Sequence, residues 1–128
     1  MRLHCLDERG RSVDLPGALR YDVRDPWAVE LAIGAPGELV RWLLGRDLLL
    51  EGRTDPVGDG DVQVSPSIDE CGRAVVILEL RSPSGRLIAL LSTRRLSTFL
   101  DRTVAAVPPG SESMDLDELV AAIFSTAE

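Results

Sequence analysis

The chain has 128 residues, with 14 basic side chains, all of them arginine, against 21 acidic ones, giving a formal net charge of −7 and a pI near 4.7. With 45% hydrophobic residues, a chain of this length buries roughly two-thirds of its unfolded surface, enough for one domain over residues 1–128 without disulfides or metal, which argues against disorder and against a multidomain enzyme. The longest apolar runs, Trp42 to Leu44 and Leu48 to Leu50, fall far short of the ~20 residues of a membrane span, and Met1 to Leu6 lacks the apolar core of a secretory signal, so the expected location is the cytoplasm, with Cys5 and Cys71 as free thiols.

The first residues carry His4 beside Cys5, which read as the start of a strand near a terminus expected to be mobile. Leu19 to Val23 reads as a strand, closed by a turn at Asp25-Pro26, because proline fixes its own φ and disfavours the helical region for the residue before it. From Trp27 the chain alternates, with Trp27, Val29, Leu31 and Ile33 on one face and Ala28, Glu30 and Ala32 on the other, the pattern of a half-buried strand. After Gly34-Ala35-Pro36-Gly37 a strand from Glu38 to Leu44 places Val40, Trp42 and Leu44 together, with Trp42 inward. Arg46 to Glu51 fits a helical turn or a short strand equally well. Pro56 to Gly60 reads as a loop, Asp61 to Ser65 as a short strand and Pro66 to Gly72 as a connection. Ala74 to Arg81 and Arg86 to Ser92 are joined by Ser82-Pro83-Ser84-Gly85 as a hairpin.

The period then changes from two to 3.6. Leu96, Phe99, Leu100, Thr103, Val104 and Val107 make one face of an amphipathic helix that Pro108-Pro109-Gly110 ends. A second helix is expected from Asp115, with Glu118 in capping-box position and Leu116, Leu119, Val120, Ile123 and Phe124 as its apolar stripe. The sum is an α+β domain: an antiparallel β-sheet of about six or seven strands packed with two C-terminal helices.

The residue types that carry chemistry do not assemble into a familiar pattern. Asp55, Asp59 and Asp61 around Gly58 and Gly60 lack the spacing of a calcium loop and read as turn chemistry. The only histidine, His4, sits at the expected mobile terminus with no nucleophile motif in sight, and with Cys5 it supplies too few ligands for a soft metal. Asp22 and Asp25 flank Arg24 and read as turn and sheet-edge charges rather than as paired catalytic carboxylates. No cofactor or metal is implied, and the expectation is a protein that is not an enzyme. Residues 81–102 carry five arginines against Asp101 alone, whereas residues 108–128 carry five acids and no arginine. That basic stretch keeps a nucleic-acid reading open, against the overall negative charge and the few aromatics available for stacking.

Leu19-Arg20-Tyr21-Asp22 and then Asp25-Pro26-Trp27-Ala28-Val29 resemble the Arg-Tyr-Asp…Asp-Pro-Tyr-Ala-Val signature of the SsgA-like sporulation and cell division proteins, with Trp27 in place of the more usual tyrosine. Trp42, Gly45-Arg46-Asp47-Leu48-Leu49 and Gly52 are similar to a second family segment. Ser82-Pro83 with Gly85, Phe99-Leu100 with Arg102-Thr103, and Val107-Pro108 with Gly110 and Glu112 match further ones. The resemblance implies a Whirly-like fold assembled as a bell-shaped homotrimer. It also implies a non-enzymatic adapter in sporulation-specific cell division, concentrated at septa, whose partners are division proteins such as FtsZ or a family paralogue. Single-stranded nucleic-acid binding is the alternative that the fold relationship keeps alive. Arg20, Tyr21, Asp22, Asp25, Trp27, Trp42 and Arg46 are then expected to hold the fold or the oligomer, with Tyr21 and Trp27 half-buried and Arg46 paired with a carboxylate. Arg94, Arg95 and Arg102 are the exposed candidates for partner contact.

Overall fold

The computed structural model describes residues 1–112. Eight strands form one antiparallel sheet: β1 (Arg2–Leu6), β2 (Ser12–Arg20), β3 (Ala28–Ile33), β4 (Val40–Gly45), β5 (Val57–Asp59), β6 (Val62–Ile68), β7 (Ala74–Ser82) and β8 (Gly85–Ser92), in the order β4-β3-β2-β1-β8-β7-β6-β5. Two helices interrupt them, α1 (Arg46–Gly52) between β4 and β5 and α2 (Thr93–Ala106) after β8. The chain therefore runs through four strands and a helix twice, and the two meanders join where β1 pairs with β8.

Alternate residues of most strands are buried on one side of the sheet. Leu3 and Cys5 of β1, Val29 and Leu31 of β3, Val64 of β6, Val76, Leu78 and Leu80 of β7 and Ala89 and Leu91 of β8 enclose one core with Leu49 of α1 and Leu96 and Leu100 of α2. Trp42 packs against that core, as its alternation predicts. Burial in this core raises the Cys5 thiol pKa above its usual value, whereas Cys71 is an exposed free thiol in the β6–β7 turn.

Several expectations are corrected. The sheet has eight strands, because two short ones escape a period-based reading. The strand start read at His4-Cys5 is present as β1, but the segment is not mobile: β1 lies at the centre of the sheet, with His4 paired to Asp14 on one side and to Leu90 on the other. Residues Val57–Asp59, expected in a loop, form β5 against Val62–Val64, and Gly60, at φ 57°, makes the turn. β6 continues through Pro66 to Ile68. Proline survives there because β5 pairs only as far as Val64, so on that side no backbone donor is called for. The strand expected at Leu19 to Val23 is instead the end of a longer one, since β2 runs from Ser12 to Arg20 and Tyr21 to Val23 lie beyond it.

Arg46 to Gly52 resolves as a helix, with its short apolar run turned onto the sheet through Leu49. The β7–β8 hairpin forms as expected, with Ser82 opposite Gly85. α2 begins at the Ser92 cap, whose hydroxyl accepts the Arg95 N–H, and it ends at Val107 ahead of the two prolines. The helix expected from Asp115 falls outside the described residues.

Candidate functional site

The positions that carried the family resemblance lie far apart in sequence, and the fold brings a subset of them to one point. Gly45 ends β4 and turns the chain into α1, so Arg46, the first helical residue, enters the interior with 1% of its surface exposed. Its backbone N–H donates to the Trp27 carbonyl at 2.8 Å, which ties α1 to the start of β3. Its Nη1 donates to Tyr21 Oη at 3.1 Å, to the Thr103 carbonyl at 3.1 Å and to the Val107 carbonyl at 2.6 Å. Its Nη2 donates to Glu112 Oε1 at 2.9 Å. The guanidinium also lies 5.5 Å from the centre of the Tyr21 ring. Tyr21 Oη in turn donates to the Pro26 carbonyl at 2.9 Å. One side chain thus joins the β2–β3 connection, α1, the last turn of α2 and the segment after it.

A guanidinium suits this place because its planar fork has five donors pointing in fixed directions, and the last carbonyls of a helix have no partner of their own. Its Nε is buried without a partner among the described residues. The expected carboxylate partner is Glu112, which also accepts the Gly110 N–H at 2.9 and 3.1 Å. Those Gly110 bonds are the largest influence holding the Glu112 carboxyl below the usual 4.5; Arg46 adds to them and burial opposes them. Burial raises the Tyr21 hydroxyl pKa, with Arg46 pulling the other way.

A glutamate with a depressed folded pKa contributes stability that is present above its ordinary value and is lost as pH falls through the lowered one. Thermal melts from pH 7 to pH 3 are therefore expected to show wild type more stable than Glu112→Gln at neutral pH, with the gap closing in acid. A gap that stays constant with pH removes Glu112 from the acid response.

The other signature residues sit around this knot. Arg20 ends β2 opposite Glu30. Asp22 accepts the Arg24 N–H at 2.9 Å and the Arg24 Nε and Nη2 at 3.1 and 3.0 Å, so its carboxylate braces the turn, whereas Asp25 closes the following turn through its backbone alone. Tyr21 is half-buried as expected. Trp27 is not: 54% of its surface is exposed, because β3 starts one residue later and the indole lies outside the alternation. Arg20, Tyr21, Asp22, Val23, Glu30 and Leu43 line a surface hollow of about 530 Å³ beside the knot.

Among the described residues, five large exposed apolar side chains lie toward the β4 edge of the sheet, while Val13 on β2 and Ile68 on β6 are exposed elsewhere. Val23 and Trp27 precede β3, Leu39 precedes β4, and Val40 and Leu43 lie on β4, the edge strand. On the opposite side β5 is three residues long and carries Gly58 and Asp59, and beyond Val64 the edge passes to β6, where Pro66 interrupts the row of donors before the exposed Ile68. A short, polar edge is protected against pairing with other chains, whereas a six-residue edge with one charged side chain is open to it.

The basic stretch divides. Arg81 and Arg86 share the Glu79 carboxylate at 3.1 and 3.2 Å. Arg94, Arg95 and Arg102 are exposed on α2 and form no ion pair among the described residues; seven positions apart, Arg95 and Arg102 share a helix face. Among the described aromatics only Trp27 is exposed, since Tyr21, Trp42 and Phe99 pack against the core. A stacking platform for single-stranded nucleic acid needs more.

Sequence reasoning named Arg46, Tyr21 and Glu112, but not the convergence on Thr103 and Val107, whose contributions are backbone carbonyls that no residue type announces.

A family profile described as Streptomyces sporulation and cell division protein, SsgA, matches residues 15–112. The sporulation-specific cell division protein SsgB of Streptomyces coelicolor is 44% identical over 117 residues, covering 89% of this chain and 85% of that protein. SsgB of Kineococcus radiotolerans is 40% identical over 119 residues, covering 91% and 72%. Among solved structures, one from work on SsgB mutations and longitudinal cell division during sporulation of Streptomyces coelicolor superposes with a TM-score of 0.81 at 42% identity, covering 88% of each chain. An SsgA-like sporulation-specific cell division protein from Thermobifida fusca superposes with a TM-score of 0.80 at 32% identity, covering 99% of this chain and 91% of the other.

Proposed function

This chain belongs to the SsgA family of sporulation and cell division proteins, and from that membership we infer that it acts in sporulation cell division as a non-enzymatic adapter at septa. It helps place or recruit the division ring protein FtsZ. The observation that carries the adapter reading is the pairing of a rigid interior with an apolar margin: the Arg46 knot fixes the end of the sheet where Trp27 and Leu43 stand exposed, with Val40 further along the same edge strand. Apolar surface held on a stiff support loses little entropy on docking.

The β4 margin is the self-association surface, in keeping with a trimer, and the Arg94, Arg95 and Arg102 side of α2 faces the partner. Trimerisation multiplies weak contacts, so each protomer binds a polymer feebly while the assembly holds on. No helix among the described residues is long and apolar enough to cross a membrane.

The test is co-sedimentation with FtsZ polymers at physiological salt, together with analytical ultracentrifugation. Wild type is expected to sediment as an oligomer and to pellet with the polymer. Leu43→Glu is expected to yield a folded monomer that has lost about 100-fold in apparent affinity for the polymer. Reversing the charge at Arg94, Arg95 and Arg102 is expected to keep the oligomer and lose the polymer. Absence of wild type from the FtsZ pellet ends the recruitment reading, and a monomeric wild type ends the avidity reading.

A further inference from the structure

Outside the knot, three polar side chains on the outer face of the β1–β2 hairpin form a continuous chain of hydrogen bonds. His4 Nδ1 lies 2.9 Å from Asp14 Oδ1, and His4 Nε2 lies 3.1 Å from Ser12 Oγ. The register explains the contact. Asp14 is directly opposite His4, and Ser12 is opposite Leu6, one same-face position along, so the imidazole spans the two. An ionised carboxylate only accepts, so in the neutral ring Nδ1 carries the hydrogen, Nε2 keeps its lone pair, and the Ser12 hydroxyl donates to it. This is the order of nucleophile, base and orienting acid.

The support is stiff, because β1 is paired on both sides, to β2 and to β8. It is also apolar nearby: Leu6, Ile88 and Leu90 share the outer face and are half-buried, with Ile88 opposite Leu6 and Leu90 opposite His4. A hydrocarbon chain lying along that strip brings its reactive end to Ser12.

We propose that Ser12 is a base-activated nucleophile that accepts an acyl group from an activated, apolar acyl donor, a thioester or an aryl ester. The bond from Ser12 Oγ to the carbonyl carbon forms as the bond from that carbon to the leaving group breaks. The hydroxyl proton passes to His4 Nε2 and then to the leaving group, and Asp14 stabilises the imidazolium between the two transfers. His4 is the base and Asp14 the positioning residue. The product is the chain esterified at Ser12, a modification independent of the septal role.

The test exposes the full chain to a long-chain alkyl fluorophosphonate, which loses fluoride to base-activated serines, and maps the adduct by mass spectrometry. A single adduct on Ser12 is expected, absent from Ser12→Ala. His4→Ala is expected to slow labelling about 100-fold, and added imidazole to restore it, which a merely structural role for the ring does not predict. Asp14→Asn is expected to slow it as well. Preincubation with p-nitrophenyl octanoate is expected to block the site by acylating it. All three side chains are exposed, so the variants keep the wild-type melting temperature and a lost adduct is not lost fold. Adducts scattered over other serines, a His4→Ala rate equal to wild type, or failure of the ester to compete overturns the proposal.

Discussion

Replacing Arg46 with alanine is expected to destabilise the fold by about 3–5 kcal/mol, a large share of the 5–15 kcal/mol typical of a domain, and to lower the melting temperature by roughly 10–20 °C. The loss comes less from an ion pair given up than from what stays behind. The Glu112 carboxylate keeps its place with 5% of its side chain exposed and no countercharge. Tyr21 Oη and the Val107 carbonyl lose the Arg46 donor in the same step, while the Thr103 carbonyl is left with the Val107 N–H alone. Burying an unpaired charge costs several times what a surface pair contributes. Lysine does not rescue the position, because one ammonium on a flexible stem cannot reproduce a fork aimed at Tyr21, the end of α2 and Glu112 together. The double change Arg46→Met with Glu112→Leu, which removes both charges, is expected to recover part of the loss, and thermal melts of the three proteins check the ordering. A single Arg46→Ala variant that melts with wild type shows that the knot contributes nothing to stability.

Leu3→Ala is the second large effect, about 2–5 kcal/mol, and it tests the central place of β1. Leu3 is fully buried and lies against Gly17 of β2, where a Cβ would come within 2.6 Å of Leu3 Cδ1. That glycine leaves room for the leucine, so truncating the leucine opens a cavity between β1 and β2 in the core. Arg2→Ala, on the exposed side of the same strand, serves as the control with little change. Urea unfolding followed by tryptophan fluorescence measures both. An equally small effect at Leu3 and Arg2 contradicts a load on this strand.

Period and turn chemistry carry much of this fold without help. The β7–β8 hairpin is written in two β-branched and leucine-rich runs around Ser82-Pro83-Ser84-Gly85, and α2 in five apolar positions and Thr103 at helical spacing. Both are local signals, so both are legible. The central place of β1 is not, because a strand start of five residues with two buried positions looks like a free end until β2 and β8 arrive on either side. β5 and the last part of β6 fail for the same reason: Pro56 and Pro66 look like breaks, and only the pairing partners show that neither proline is asked for a hydrogen bond. Trp27 shows the opposite error, since alternation assigns it a buried face that the true start of β3 denies it. At the site, the side chains of the knot are nameable in advance, whereas its carbonyls are not. The Ser12, His4 and Asp14 chain is invisible for a further reason. Its spacing of eight and then ten positions matches no nucleophile motif, and the contacts exist only in one strand register.

The amino-acid sequence alone determined the α+β class, the amphipathic α2, the inward Trp42 and the family resemblance, because each depends on neighbours a few residues apart or on motifs kept in order. The tertiary structure decided which strand is central, which edge is open, and that Arg46 reaches Thr103, Val107 and Glu112 across more than fifty residues. Those outcomes depend on pairing between distant segments, where the free energy of burial and of satisfied polar groups is shared by the whole sheet and belongs to no segment by itself.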